Sequence, residues 1–131
     1  MMSCQQIIRR RDRYERQYRQ LWQRLADMGP VKRGSIYKTY SGCGSPGCRC
    51  HSDPQARHGP YWFWTSKSDG KSHCRQLRGT MLTLYRRYAS NYKKLKQTLE
   101  QLETLSDRIL ECQLKLAELD AQGGRSRRRQ K

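Results

Sequence analysis

The chain has 131 residues, and its hydrophobic content of 34% argues against one large apolar core. Its 28 Lys and Arg residues outnumber its 11 Asp and Glu residues, which gives a formal net charge of +17. This charge makes nucleic acid the leading class of partner, although a basic ribosome-like or merely soluble protein would have the same balance.

Nothing in the sequence indicates a membrane or secretion. No apolar run approaches the roughly 18 residues of a membrane span, and the start Met-Met-Ser-Cys-Gln-Gln lacks the apolar core of a signal peptide. We therefore expect a cytoplasmic protein, nucleoid association remaining open, with no membrane partner. Because thiols stay reduced in that compartment, six cysteines favour metal binding over disulfides.

The first predicted element is a basic amphipathic helix within residues 1–30. Ser3 can cap its start, and Gly29-Pro30 ends it. Its apolar side chains recur at the spacing of one helical face, and these are Ile7, Tyr14, Tyr18, Leu21, Leu25 and Met28. Four arginines on the opposite side form what we call the arginine stripe, namely Arg9, Arg13, Arg16 and Arg24. This stripe can contact phosphate groups, but a solvated helix face is an equally good interpretation.

Residues 31–79 are predicted to form strands, because short stretches rich in Tyr, Trp and Thr alternate with Gly, Pro and Ser. We expect a first strand at residues 34–40, and a hairpin made by residues 61–66 and 73–78 around the turn Ser68-Asp69-Gly70. Strands this short bury too little apolar surface to be stable alone. Another source of stability is therefore expected in this segment.

Four potential metal ligands supply that source. Cys43, Cys48, Cys50 and His58 form the pattern C-x4-C-x-C-x7-H, and the neighbouring glycines and Pro46 are expected to let the backbone turn tightly. Four protein ligands predict a structural Zn²⁺ site with no open position for a catalytic water. Such a site contributes on the order of 10 kcal/mol to folding. His51 and Cys74 are the alternative fourth ligands, and the alternative to a metal site is a cluster of core or redox-active thiols.

Four consecutive aromatic residues follow Pro60, and strand alternation places them on two opposite faces. If Tyr61 and Phe63 pack on the helices, Trp62 and Trp64 are exposed and can stack on bases. The alternative is that all four are core residues. Basic residues near these indoles could add phosphate contacts, and these are Lys67, Lys71, Arg75 and Arg78. Arg49, between two predicted metal ligands, and Arg57, beside His58, are further candidates that we call the knuckle arginines.

Residues 80–122 are predicted to form a long helix with a coiled-coil seam, since apolar residues recur at steps of four and three. The seam comprises Met81, Tyr85, Tyr88, Tyr92, Leu95, Leu99, Leu102, Leu105, Ile109, Cys112, Leu116 and Leu119. We expect residues 99–119, in a stretch of nearly balanced charge, to form a homodimer or to bind a partner protein's helix. The Tyr-rich half of the helix is expected to pack on the first helix.

Gly123-Gly124 is expected to end the long helix and to leave residues 123–131 as a basic disordered tail. Its arginines are candidate phosphate contacts, namely Arg125, Arg127, Arg128 and Arg129. No paired carboxylates, nucleophile with a base or glycine-rich phosphate loop is recognisable, so neither enzymatic activity nor a small-molecule substrate is expected. The predicted fold class is α+β, with N- and C-terminal helices flanking a small zinc-stabilised hairpin or three-stranded sheet.

Several of these motifs together resemble an uncharacterised prokaryotic family known only as a domain of unknown function. They are residues 34–38 (GSIYK), residues 43–50, residues 58–62 (HGPYW) and the helix with Tyr92. Cys43, Cys48, Cys50 and His58 match the family's C-x4-C-x-C and HGPY elements. The resemblance implies a Cys/His knuckle, a hairpin and a trailing helix, and it implies a link to mobile elements or phage without an assigned activity.

Taken together, these features favour a zinc-binding accessory protein that binds DNA or RNA, as part of a mobile element or its nucleoprotein complex. The first alternative is a coiled-coil adaptor that docks a transposase or nuclease subunit without binding nucleic acid. The second is a thiol redox switch that uses the same cysteines.

Overall fold

The protein consists of two long helices and a three-stranded antiparallel sheet, as described for residues 1–129 by a computed structural model. The elements in chain order are α1 (Cys4–Ala26), β1 (Ser35–Ser41), β2 (His58–Ser68), β3 (Lys71–Leu77) and α2 (Gly79–Arg129). This architecture confirms the predicted α+β fold class. Two compact units form, one from α1 and the part of α2 beginning at Leu95, and the other from residues 29–94. Neither helix has, in its described residues, an apolar stretch suited to crossing a bilayer.

The unit that contains α1 begins at a reciprocal cap. The Gln6 amide donates to Ser3 Oγ at 3.3 Å, and the Ser3 amide donates to Gln6 Oε1 at 2.9 Å. This capping box satisfies two backbone donors that the first turn of a helix leaves without partners. The predicted role of Ser3 is thus confirmed, and Gln6 completes it.

A small apolar core holds α1 against the distal part of α2. Its most buried members are Ile7, Leu102, Leu105 and Cys112, with 4%, 3%, 7% and 6% of their surface exposed. Two other residues of the predicted seam are open to solvent, because Leu99 and Leu119 are 50% and 36% exposed, and Leu110 and Leu114, which lie off the seam, are 52% and 57% exposed. The predicted seam is therefore buried along only part of its length within one chain.

The helix α2 is longer than the sequence predicts, since it continues to Arg129 rather than ending at residue 122. Gly123 and Gly124 are helical residues, and neither has the positive φ with which glycine commonly ends a helix. A glycine inside a helix costs only about 1 kcal/mol, so the pair weakens the helix without ending it. Residues 123–129 of the predicted disordered tail are therefore helical, and residues 130–131 lie outside the described part of the chain.

The sheet has the order β1-β2-β3, and its hairpin confirms the predicted turn. Ser68 pairs with Lys71 across a loop of two residues, Asp69 and Gly70, whose φ angles are 52° and 73°. Positive φ at both positions matches the twist of the flanking strands, and Asp-Gly adopts it readily. The middle strand is longer than predicted because it begins at His58.

The structure reverses the predicted facing of the four aromatic residues. Trp64 packs edge-on against Tyr85 of α2 with ring centroids 5.7 Å apart, and the Arg86 guanidinium lies 4.9 Å from the Trp62 ring centroid. Phe63 instead stacks on Tyr37, on the other face of the sheet. The physical reason is that α2 starts soon after β3 and covers one sheet face, where the large indoles bury the most apolar surface.

The first turns of α2 also contact the segment that leads into the sheet, whereas the expectation that the Tyr-rich half of α2 packs on α1 stays a prediction. Tyr85 packs against Trp64, and the Tyr88 carbonyl accepts a hydrogen bond from the Lys32 amide at 3.0 Å. One turn further along, the Asn91 side chain donates to the Pro30 carbonyl at 2.9 Å. The first turns of α2 therefore fix the sheet and the segment that leads into it.

Candidate metal centre and basic surfaces

The loop between β1 and β2 carries the predicted metal ligands. Cys43 follows the end of β1, Cys48 and Cys50 flank the start of a short 3-10 turn at Arg49–His51, and His58 is the first residue of β2. Ser41 pairs with His58 in the sheet register, so the two ends of the loop are held together. The backbone pairing thus places His58 next to the strand end from which Cys43 projects.

The four ligand atoms come together in one cluster. One ligand atom from each of Cys43, Cys48, Cys50 and His58 lies within 4.8 Å of all the others. Cys43 Sγ lies 3.5 Å from Cys50 Sγ, and Cys48 Sγ lies 3.3 Å from His58 Nε2. Tetrahedral Zn²⁺ with bonds of about 2.3 Å to sulfur needs sulfur atoms roughly 3.8 Å apart. These residues could therefore hold a metal ion with only small side-chain movements.

The geometry also separates His58 from the two alternative fourth ligands. His51 Nε2 lies 3.0 Å from the Ser45 carbonyl oxygen and is outside the cluster. Cys74 is an exposed residue of β3 next to Tyr37, and burial and then this thiol raise the pKa of Tyr37. Within the described residues, His58 is the one imidazole that joins the three clustered thiols.

The surroundings favour deprotonation of two of the three thiols, which is the form that metal binding requires. The Ser45 amide and then the Cys50 thiol lower the pKa of Cys43 to about 6. The Cys50 amide and His58 lower the pKa of Cys48, and contact with the Cys48 and Cys43 thiols raises the pKa of His58. At Cys50 the Cys43 amide acts in the same lowering direction, but burial and the neighbouring thiols outweigh it and raise the pKa. A metal cation would compensate for the mutual repulsion of these thiolates.

A glycine that the sequence analysis did not single out fixes the position of His58. Gly59 has a φ of 134°, and a Cβ there would lie 2.9 Å from the Thr39 carbonyl oxygen. Gly44 and Gly47, which were expected to permit the tight turn, have no positive φ and open space where a Cβ would be. The positive φ at Gly59 could not be read from the spacing of the ligands, because the sheet register imposes it.

The knuckle arginines are exposed, but one of them has a partner. Arg49 Nη2 lies 3.6 Å from Asp53 Oδ2, and its side chain is 84% exposed. Asp53 also accepts a hydrogen bond from the Gln55 amide at 2.9 Å. A surface ion pair of this kind contributes little energy, so Arg49 remains able to exchange its carboxylate for a phosphate. Arg57 is exposed next to His58.

The remaining predicted phosphate contacts fall into distinct environments. Lys67, Lys71, Arg75 and Arg78 are all exposed, but Arg75 donates a hydrogen bond of 3.4 Å to the Tyr85 hydroxyl oxygen and Arg78 donates one of 3.2 Å to Gln76 Oε1. All four residues of the arginine stripe are exposed on α1. The side chains of Arg125, Arg127, Arg128 and Arg129 lie outside the described part of the structure.

Most of the basic side chains that the structure describes have no acidic partner. The described residues form three ion pairs, which join Arg11 to Asp12, Arg49 to Asp53 and Lys115 to Glu111. None of the three includes a member of the arginine stripe. The stripe is therefore an exposed row of guanidinium groups that no carboxylate of the described chain neutralises.

Comparison with protein families gives a match over most of the chain. A family model described as "Domain of unknown function (DUF6788)" matches residues 5–80, more than half of the chain. No curated protein and no solved structure matches it. The matched residues include α1, all three strands and the four clustered ligands.

Proposed function

The chain belongs to this family of domains of unknown function, and we propose that it is a zinc-stabilised, non-enzymatic protein that binds nucleic acid. The observation that supports nucleic-acid binding best is the arginine stripe, whose members are exposed and lack ion pairs within the described residues. The net charge of +17 adds long-range attraction for a polyanion.

The metal that suits the cluster is Zn²⁺, because three thiolates and one imidazole are a typical structural zinc set. Cys43, Cys48, Cys50 and His58 would hold it and so fasten the loop to the start of β2. With all four positions filled by protein, the ion would stabilise the fold. Cobalt substitution tests the site, because tetrahedral thiolate coordination gives Co²⁺ an intense visible absorption.

Binding to nucleic acid is tested by titrating the full chain against DNA and RNA at several salt concentrations. Neutralising phosphates releases condensed counterions, so the logarithm of the affinity should fall steeply and linearly with the logarithm of salt concentration. An affinity that is flat from low to moderate salt, or no binding to either polymer, would overturn this proposal. The same titration compares DNA with RNA directly.

A second candidate function is supported by the exposed leucines of α2. Leu99, Leu110 and Leu114 are each at least half exposed, although they lie on a long helix. They suit a coiled-coil contact with a second copy or with a partner protein's helix. In this case the protein is an adaptor, and the mobile-element link implied by the resemblance would make a transposase or nuclease subunit the partner. If the protein does not bind nucleic acid but co-purifies with such a subunit, it is an adaptor.

A further inference from the structure

The sheet face that points away from α2 carries an exposed aromatic pair. Tyr37 of β1 and Phe63 of β2 are cross-strand partners, with ring centroids 5.7 Å apart and an interplanar angle of 22°. Tyr37 is 43% exposed, and Phe63 is half-buried. Strand alternation places Tyr61 and Lys67 on this same face of β2. The face therefore combines aromatic surface with a cation.

The two sheet faces have different roles. On the opposite face, Trp64 is enclosed by Tyr85 and by the Lys32 ammonium, which lies 4.6 Å from its ring centroid. The Trp64 indole nitrogen also donates to the Arg33 carbonyl at 3.0 Å. These contacts explain Trp64 as a structural residue. Tyr37, in contrast, remains 43% exposed although it contacts Phe63 and the Cys74 thiol.

The charge of the sheet indicates what the open face would attract. None of the three strands contains an Asp or a Glu residue. They carry four cations, of which Lys67 lies on the open face, whereas Lys38, Lys71 and Arg75 lie on the face of Trp62 and Trp64. An aromatic face that carries one lysine and no carboxylate from its strands is complementary to a ligand with flat rings and negative charge.

We propose that this open face binds unpaired bases of single-stranded nucleic acid, with Tyr37 and Phe63 stacking on bases and Lys67 contacting phosphate. The inference rests on the proposed function and names its substrate class. In a duplex the base faces are covered by neighbouring base pairs, whereas a single strand can turn its bases onto aromatic side chains. The arginine stripe contacts phosphate alone and would not distinguish these two forms.

The test measures binding of the full chain to a labelled single-stranded oligonucleotide and to the duplex of the same sequence. Replacing Tyr37 with Leu keeps the apolar bulk but removes the ring. We expect Tyr37→Leu to weaken single-strand binding by about tenfold, the usual effect of losing one stacked base, and to leave duplex binding nearly unchanged. Tyr37→Phe should bind like the wild type.

Tyr40→Leu is the matched control, because Tyr40 lies on the same strand and is 47% exposed, but sits at the irregularity between Thr39 and Ser41, outside the Tyr37–Phe63 pair. It should leave both affinities unchanged. Thermal unfolding of each variant identifies any loss of fold. A second readout is the slope of log affinity against log salt concentration. Tyr37→Leu should leave this slope unchanged, and Lys67→Gln should reduce its magnitude by about 1, the effect of losing one phosphate contact.

The outcomes separate the two proposals. If the single strand and the duplex bind equally well and Tyr37→Leu weakens neither, the stacking face is wrong and the proposed function stands. If no nucleic acid binds at all, both are wrong. A loss of affinity equal in Tyr37→Leu and Tyr40→Leu would also contradict a role for this particular face.

Discussion

Removal of the arginine stripe should change the salt dependence of nucleic-acid binding in a calculable way. In the variant Arg9→Gln/Arg13→Gln/Arg16→Gln, three exposed guanidinium groups without ion pairs lose their charge while helix propensity is kept. Each phosphate contact contributes about 0.7 to 0.9 to the slope of log affinity against log salt. The slope should therefore fall in magnitude by about 2 to 3.

A fluorescence anisotropy titration at a low and a fourfold higher salt concentration measures this change. Raising the salt concentration over that range weakens binding in both proteins. The fold-loss of affinity should be about 20 to 40 times greater for the wild type than for the variant. The matched control is Lys93→Gln/Lys94→Gln/Lys96→Gln, which removes the same charge from exposed positions of α2 that are not among the predicted phosphate contacts. Equal slopes in the wild type and the arginine variant, or an equal fall in the control, would refute the role of the stripe.

Two further predictions concern the fold. Gly59→Ala should lower stability by about 1–3 kcal/mol and weaken metal binding, because its φ of 134° and the nearby Thr39 carbonyl oppose a Cβ. Gly44→Ala, where a Cβ meets open space, should change little, and equal melting temperatures for these two variants would contradict the argument. Leu105→Ala should cost about 2–5 kcal/mol in denaturant unfolding, because Leu105 is only 7% exposed. Leu114→Ala removes the same atoms from a 57% exposed position, so a comparable loss there would show that the apolar core is misplaced.

The parts of the fold predicted correctly are those encoded locally. The spacing of three thiols and His58 identified the clustered ligands, and Asp69-Gly70 identified the hairpin turn, because a short loop leaves few alternatives. The cap at Ser3 was equally local.

The errors arose where a distant element decides the outcome. Strand alternation places Trp62 and Trp64 on one face of β2 and Tyr61 and Phe63 on the other. Which of the two faces packs against α2 depends on the position of that helix, which the sequence of β2 does not encode. Tyr37 was missed for the same reason, since its position opposite Phe63 depends on the register between two strands. The positive φ at Gly59 and the continuation of α2 through Gly123 likewise depend on pairing and helix context.

Elemental analysis of the untagged full chain tests the central claim most directly. Zinc should be present at about one equivalent per chain and be retained by Cys74→Ser, whose side chain lies outside the cluster. The variant Cys43→Ser/Cys48→Ser/Cys50→Ser should lose the ion and unfold at a clearly lower temperature. A native protein that contains no metal, together with a triple variant that unfolds at the wild-type temperature, would contradict the account and leave these thiols to a redox role.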